Sequence, residues 1–414
     1  EWGFRERLRE TYIRNGIDLE NDRVDDRHFL RVRTQLWGRW RPARNWELYA
    51  MLNNEHRHWL KPDRDFEFGE DLHELIFENL YVRISEIGGR PIDVTLGRQN
   101  IMLGEGFLFM DGGTLDGSRT AYMNALRVGI GDPAKRRFEL HLISNPETDE
   151  YLPVVNDRDQ GLTEWDESGA NLYYTDRASG PVGFDLYYAF KREKDDDGLF
   201  PETTLHTVGG RASAGVTGRL RFAAEGAVQF GERGDVDRSG LGGHMHCTVN
   251  PGSRFSPALT AGLIYLSGDD PHTTEYEGWD PLYSRWPKWS ELYIYTLVNE
   301  NGVAYWDNLV APYLQLSLRP EKRIELVGEA YFMRAPEDMR TIVVPGDDPA
   351  AGGVPAGPFT DGGERGLLTR VWLKWRATGH LTGHLLWERF DPGDFYWNER
   401  DTAHFLRWEI IFTY

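Results

Sequence analysis

The last ten residues, 405–414 (FLRWEIIFTY), carry an unbroken apolar stripe at every second position. Leu406, Trp408, Ile410, Phe412 and Tyr414 fall on one side, and Arg407, Glu409, Ile411 and Thr413 on the other. Side chains along a strand repeat every two residues, so this stretch carries one apolar face and one mostly polar face. If the apolar face meets lipid and the polar face lines a pore, the rest of the chain must repeat the pattern.

It does. Strand-like stretches are expected at 2–13, 28–41, 46–57, 75–86, 92–101, 121–130, 137–144, 168–175, 182–192, 203–214, 219–230, 240–249, 258–267, 309–319, 323–334, 366–377, 380–390 and 405–414. In the second, Leu30, Val32, Leu36 and Trp40 oppose Arg31, Arg33, Gln35, Arg39 and Arg41. Arginine or lysine facing lipid at the bilayer midplane costs about 2–4 kcal/mol, so the arginines choose the water-facing side. The first stretch is less clean: Glu6 and Glu10 share parity with Trp2, Phe4, Leu8 and Tyr12. A bulge or register shift is expected there. In the fifth, Arg98 shares parity with Leu96, and Gly97 is expected to permit a bulge that turns Arg98 inward.

Connections alternate short and long, as in outer-membrane barrels with short periplasmic turns and long extracellular loops. Segment 291–299 (ELYIYTLVN) has strand composition, but counting it gives an odd total. It is assigned to a folded outer loop. The expected fold is all-β: one transmembrane antiparallel up-and-down barrel over 1–414, with 18 strands and 16 as the neighbouring count. Outer loops are expected near 102–120, 145–166, 268–308 and 335–364. The closing strand 405–414 must pair with 2–13.

Composition agrees once a barrel is the frame. Mean hydropathy is −0.56, polar for a helical membrane protein, and no run approaches 18 apolar residues. A barrel hides its membrane character, because only alternate residues touch lipid. Cys247 is the single cysteine, which excludes a disulfide framework. The net charge of −19 makes nucleic acid a poor partner. No signal peptide precedes Glu1, so the chain reads as mature or trimmed, with export to the bacterial outer membrane inferred.

The sharpest chemical feature is a set of arginines on the water-facing parity. Arg5, Arg7, Arg9, Arg31, Arg33, Arg39, Arg83, Arg98, Arg127, Arg221, Arg370, Arg376 and Arg407, with Glu409, are the expected pore-lining residues; Arg41 and Arg219 extend the set. Guanidinium grips carboxylate or phosphate bidentately, and weak sites in series let an anion slide. The competing reading is a salt-bridged lattice with Glu225, Glu329 and Glu409 that props the barrel open. The loop 102–120 is a candidate constriction, with Asp111, Asp116 and Arg119, or else an outward loop. The acidic outer loops (Asp18, Glu20, Asp22, Asp25, Asp26; Asp195, Asp196, Asp197) offer carboxylates for Ca²⁺ but lack calcium-loop spacing, so solvated charge is preferred and no cofactor is expected. Trp279, Trp286 and Trp289 suit either sugar stacking or a packed loop core. Trp40, Trp46, Trp375, Trp408 and Tyr414 read as an interfacial girdle. His244 and His246 share a face, but without further ligands no metal is assigned. No G-x-S-x-G or similar nucleophile motif occurs, so no enzyme is expected.

Four stretches carry a family resemblance. They are FRERLRETYIRN followed by FLRVRTQLWGRWRPARNWELYAML, VTLGRQNIMLGEGFLFMDG with its Leu96-Gly97-Arg98-Gln99 tetrad, WDPLYSRWPKWSELYIY, and the aromatic-ended terminal strand. Together the chain resembles the alginate-export family of outer-membrane barrels over nearly its full length. The resemblance implies an 18-stranded monomeric barrel in outer-membrane lipid, its arginine-rich lumen passing an anionic polysaccharide. It also implies a long periplasmic turn near the sixteenth and seventeenth strands, and here the sequence departs, because Thr378-Gly379 is short. The expected function is an outer-membrane channel giving passive passage to anionic solutes or anionic oligo- or polysaccharide. The alternative is a structural barrel that anchors or houses a periplasmic, secreted or electron-transfer protein. A filled lumen would favour the alternative.

Overall fold

The alternation folds as its period dictates. The computed structural model describes residues 1–17, 19, 26–61, 74–110, 123–156, 163, 165–194, 201–252, 254–301, 306–337, 362–396 and 400–414. Its strands are β1 (Trp2–Arg14), β2 (Arg27–Ala43), β3 (Trp46–Lys61), β4 (Glu74–Ile84), β5 (Ile92–Gln99), β6 (Met123–Asp132), β7 (Arg136–Asn145), β8 (Val155–Asn156), β9 (Asp166–Asp176), β10 (Val182–Lys194), β11 (Thr203–Thr217), β12 (Leu220–Arg233), β13 (Val236–Val249), β14 (Ala258–Leu266), β15 (Leu309–Glu321), β16 (Ile324–Arg334), β17 (Glu364–Arg376), β18 (Leu381–Pro392) and β19 (Ala403–Thr413). Among the described residues one α-helix, α1, spans Tyr293–Asn301. β8 is a two-residue piece; the other 18 strands pair antiparallel with their sequence neighbours and form the wall.

The barrel closes between its first and last strands, with Arg5 opposite Thr413 through to Arg14 opposite His404. Closure removes the free edges that lipid could not satisfy. The expected bulge in the first strand is absent: β1 pairs with both neighbours without a register shift. The two outward glutamates are satisfied across the ladder instead. Thr34 Oγ1 donates to Glu6 at 2.7 Å. Glu10 meets His28 Nε2 at 2.7 Å and accepts from Trp408 Nε1.

Burial is inverted relative to a soluble sheet. Leu8, Leu36, Leu96, Val228 and Leu314 are exposed, while Arg7, Arg9, Arg31 and Arg33 on the opposite face are buried. An apolar outside around a polar inside is stable only in lipid. Trp2, Trp40, Trp46 and Tyr414 are exposed at the short-turn end and form part of an aromatic girdle.

The wall dips where strands are short, and neighbouring segments fill the dips. β5 ends at Gln99, so the outer end of β4 pairs with β8. β14 ends at Leu266, so the outer edge of β13 is met by Tyr276: its N–H donates to Asp237 O, and Ser239 N–H donates to Tyr276 O, both at 2.9 Å. The expected strands 219–230 and 240–249 left 231–239 outside the wall. That stretch is ladder instead, with Arg233 opposite Val236 across a two-residue turn.

Gly97 makes no bulge; Leu96, Gly97 and Arg98 stay in register with both neighbours. Arg98 therefore keeps the face of Leu96 and Asn124. The loop before β8 covers it, and Asp149 grips it with two oxygens at 2.6 Å. Gly97 is required for another reason. Its φ is 123°, and a Cβ there would lie 2.2 Å from Leu80 O. Gly97→Ala is expected to cost about 1–3 kcal/mol from backbone strain. A lower unfolding temperature in the heat-modifiability assay checks this.

Candidate functional site

Two connections fold into the barrel rather than away from it. Segment 101–110 packs with the described parts of 267–308, residues 267–301 and 306–308, and both pack against inward residues of the wall. Tyr283 N–H donates to Leu108 O at 3.0 Å, and Ser284 Oγ donates to Gly106 O at 2.8 Å. Trp279 is fully buried and stacks on Phe107, ring centroids 5.1 Å apart. Trp289 packs on Tyr293 and Tyr331. These two tryptophans belong to a packed core, and Trp286 is half-buried beside them. Segment 268–308 joins β14 to β15 at the long-loop end, where an outer loop was expected, and folds inward from there. Its apolar residues supply the core that the arginine-rich wall lacks.

The stretch that resembled a strand, 291–299, falls mostly within α1. Ser290 Oγ accepts from Tyr293 N–H at 2.8 Å, an N-cap bond. Tyr293, Thr296, Leu297 and Glu300 are buried, which is helical spacing. The wall holds both ends of α1. Glu388 on β18 accepts from the N–H groups of Glu291 and Leu292 and from Ser290 Oγ. Arg365 on β17 donates to Glu300 at 2.6 Å and to Tyr293 Oη at 2.7 Å. An anion at the N-terminus and a cation at the C-terminus both suit the helix dipole.

The arginine set divides in two. Arg7, Arg9, Arg31, Arg33, Arg370 and Arg407 are buried on the inward face, each ion-paired; Arg98, expected to line the pore, is instead buried on the outward face under the loop of Asp149. Glu55 alone receives Arg7 at 2.7 Å, Arg33 at 2.5 Å and Arg31 at 3.1 Å. Arg9 meets Glu409 at 2.6 Å across the seam. Arg370 joins Glu329 and Glu388, each at 2.8 Å, and Arg407 reaches Glu291 of the inserted segment at 2.8 Å. Pairs of this kind hold the wall in register and are costly to break from one side.

The other arginines are in water at the short-turn end. Arg39, Arg83 and Arg127 keep longer or half-exposed contacts to Glu47, Asp93 and Glu139. Arg5, Arg221 and Arg376 are exposed on the inward parity, with no carboxylate within 4.0 Å among the described residues.

Between the inserted segments and the β13–β16 wall lies a cavity of about 360 Å³, lined in part by Glu105, His244, His246, Thr248, Lys288 and Tyr313. Glu105 meets His246 Nε2 at 3.0 Å and accepts from Arg211 at 2.5 Å. The His246 bond, then that of Arg211, holds its carboxyl down at about 2. Sequence reading missed Glu105, Arg211, Arg365 and Glu388. The one available signal was an acid between two glycines at Gly104-Glu105-Gly106. Asp111, Asp116, Arg119, Asp195, Asp196 and Asp197 lie outside the described residues, as do Asp18, Glu20, Asp22 and Asp25. Asp26 contacts Tyr12 and Lys61.

Comparison with known proteins agrees with this geometry. Among solved structures, Pseudomonas aeruginosa OpdL matches with TM-score 0.59 at 10% identity, over 100% of this chain and 99% of that one. OccD3 (OpdP) of the same organism gives 0.57 at 11%, over 100% and 91%. The outer membrane protein OprD from Pseudomonas aeruginosa gives 0.56 at 11%, over 100% and 93%. At this identity the likeness shows the fold alone. A search of the curated proteins found no match. The family model for alginate export matches residues 4–408. With a closed 18-strand wall, an apolar outside and that match, the chain belongs to the alginate-export family and is an integral outer-membrane channel protein.

Proposed function

We propose that this channel passes anionic solutes, anionic oligosaccharide among them, by passive diffusion, and that the short-turn mouth collects them. The observation that carries the reading is the placement of Arg5, Arg221 and Arg376. They are exposed on the lumen parity at one end, without ion pairs among the described residues. Unpaired guanidiniums around a low-dielectric mouth raise the local anion concentration. Being hydrated, they bind weakly, and weak sites in series release what they attract. The buried arginines contribute differently. Each already has a carboxylate, so they fix the shape of the pathway more than its charge. Passage down a gradient requires no catalytic group.

The alternative, a barrel that houses another protein, loses ground because the chain's own segments occupy lumen that a guest would need. The test is a planar-bilayer recording of the full chain in asymmetric KCl. A reversal potential of anionic sign is expected, moving toward zero in the triple variant Arg5→Gln, Arg221→Gln, Arg376→Gln. A cation-selective wild type would overturn the proposal.

A further inference from the structure

We propose that Glu105, His244 and His246 form a binding site for a divalent transition-metal ion of the Zn²⁺ class, which ties the inserted segment 101–110 to the barrel wall. His244 and His246 are two apart on β13, so both rings project from one face. The rings are nearly parallel, at 5°, with centroids 6.2 Å apart. Glu105 comes from the other side of the lumen. It sits in a turn between Gly104 and Gly106, whose φ values of 57° and 77° present its side chain to the wall. One ligand atom from each of the three residues lies within 4.8 Å of the others. Tetrahedral bonds of about 2.0–2.2 Å place ligands roughly 3.4 Å apart, so a small closure of side chains completes the site.

The surroundings suit ligation. Arg211 occupies Glu105 Oε1 at 2.5 Å and leaves Oε2 toward the histidines. Glu225 Oε2 stands 3.5 Å from His244 Nε2, a second carboxylate beside the site. The cavity of about 360 Å³ opens on the same three residues, giving a hydrated ion a route in and water a coordination position. Arg211 and Lys288 are positive neighbours, offset by Glu105 and Glu225, so affinity depends on the imidazoles. Two imidazoles with one carboxylate favour Zn²⁺, Ni²⁺ or Cu²⁺ over Mg²⁺ and Ca²⁺. An ion held there would bridge a loop to a strand across the narrowed lumen.

The experiment is isothermal calorimetry of ZnCl₂ into the chelator-stripped, detergent-folded full chain. One equivalent is expected for the wild type. Loss of that equivalent is expected in His244→Ala/His246→Ala, and binding more than about tenfold weaker in Glu105→Gln. Glu105→Gln replaces no wall residue, and Arg211 keeps Asp185 at 3.6 Å, so it remains informative if the double variant folds poorly. Ca²⁺ should not saturate the site. The proposal falls if the wild type shows no stoichiometric Zn²⁺ binding, or if both variants bind as the wild type does. Calorimetry does not depend on transport, so a cation-selective pore that binds Zn²⁺ would keep this site and remove only the anion pathway.

Discussion

Replacing Glu388 with alanine is expected to unfasten α1 from the wall and to lower stability by about 3–5 kcal/mol, the usual cost of breaking a buried ion pair from one side. Glu388 is fully buried. It accepts from Ser290 Oγ at 2.8 Å, from the N–H groups of Glu291 and Leu292 at 3.1 and 2.9 Å, and from Arg370 Nε at 2.8 Å. Alanine leaves two backbone donors at the helix start without this acceptor and Arg370 with Glu329 only. Glu388→Gln keeps an oxygen acceptor but loses the charge, so an intermediate loss is expected. Limited proteolysis should then cut near α1 in the alanine variant before the barrel itself opens. An alanine variant as stable and as protected as the wild type would show that the inserted segment holds itself in place.

That anchoring was not legible in the sequence, whereas the wall was. Alternation in stretches such as Leu30–Val32 against Arg31–Arg33 identifies a strand and its faces from adjacent residues alone. Closure was legible too, because only a first strand can receive the last. Pairing partners were not. Arg9 finds Glu409, four hundred residues away along the chain, and Glu55 gathers arginines from two neighbouring strands. Nothing local distinguishes these from arginines left in water, such as Arg221. Segment 291–299 failed for a related reason. Its apolar residues fit period 2 and period 3.6 about equally, and the deciding facts are the Ser290 cap and the Glu388 carboxylate. Arg98 shows the limit of a local rule: Gly97 permits a bulge, but pairing on both sides keeps the register.

Replacing residues 269–306 with a short glycine–serine hairpin is expected to raise single-channel conductance severalfold and to strengthen anion preference. The wall should survive, because Leu266 and Leu309 already face each other across the β14–β15 ladder and a hairpin can join them. The removed segment carries seven carboxylates against Arg285 and Lys288. Three of the carboxylates belong to wall arginines: Asp280 to Arg238 at 3.1 Å, Glu300 to Arg365 at 2.6 Å and Glu291 to Arg407 at 2.8 Å. Those arginines lose these partners, but water enters with the loss, so they become hydrated rather than stranded in an apolar core. Hydrated wall guanidiniums then extend the charge of the short-turn mouth through the barrel. The two readouts separate the contributions: conductance reports the volume the segment occupies, and reversal potential reports the charge it masks. Unchanged conductance would mean that ions pass elsewhere. A larger conductance with a shift toward cations would mean that carboxylates of the wall, such as Glu55 and Glu409, govern the lumen once the insert is gone.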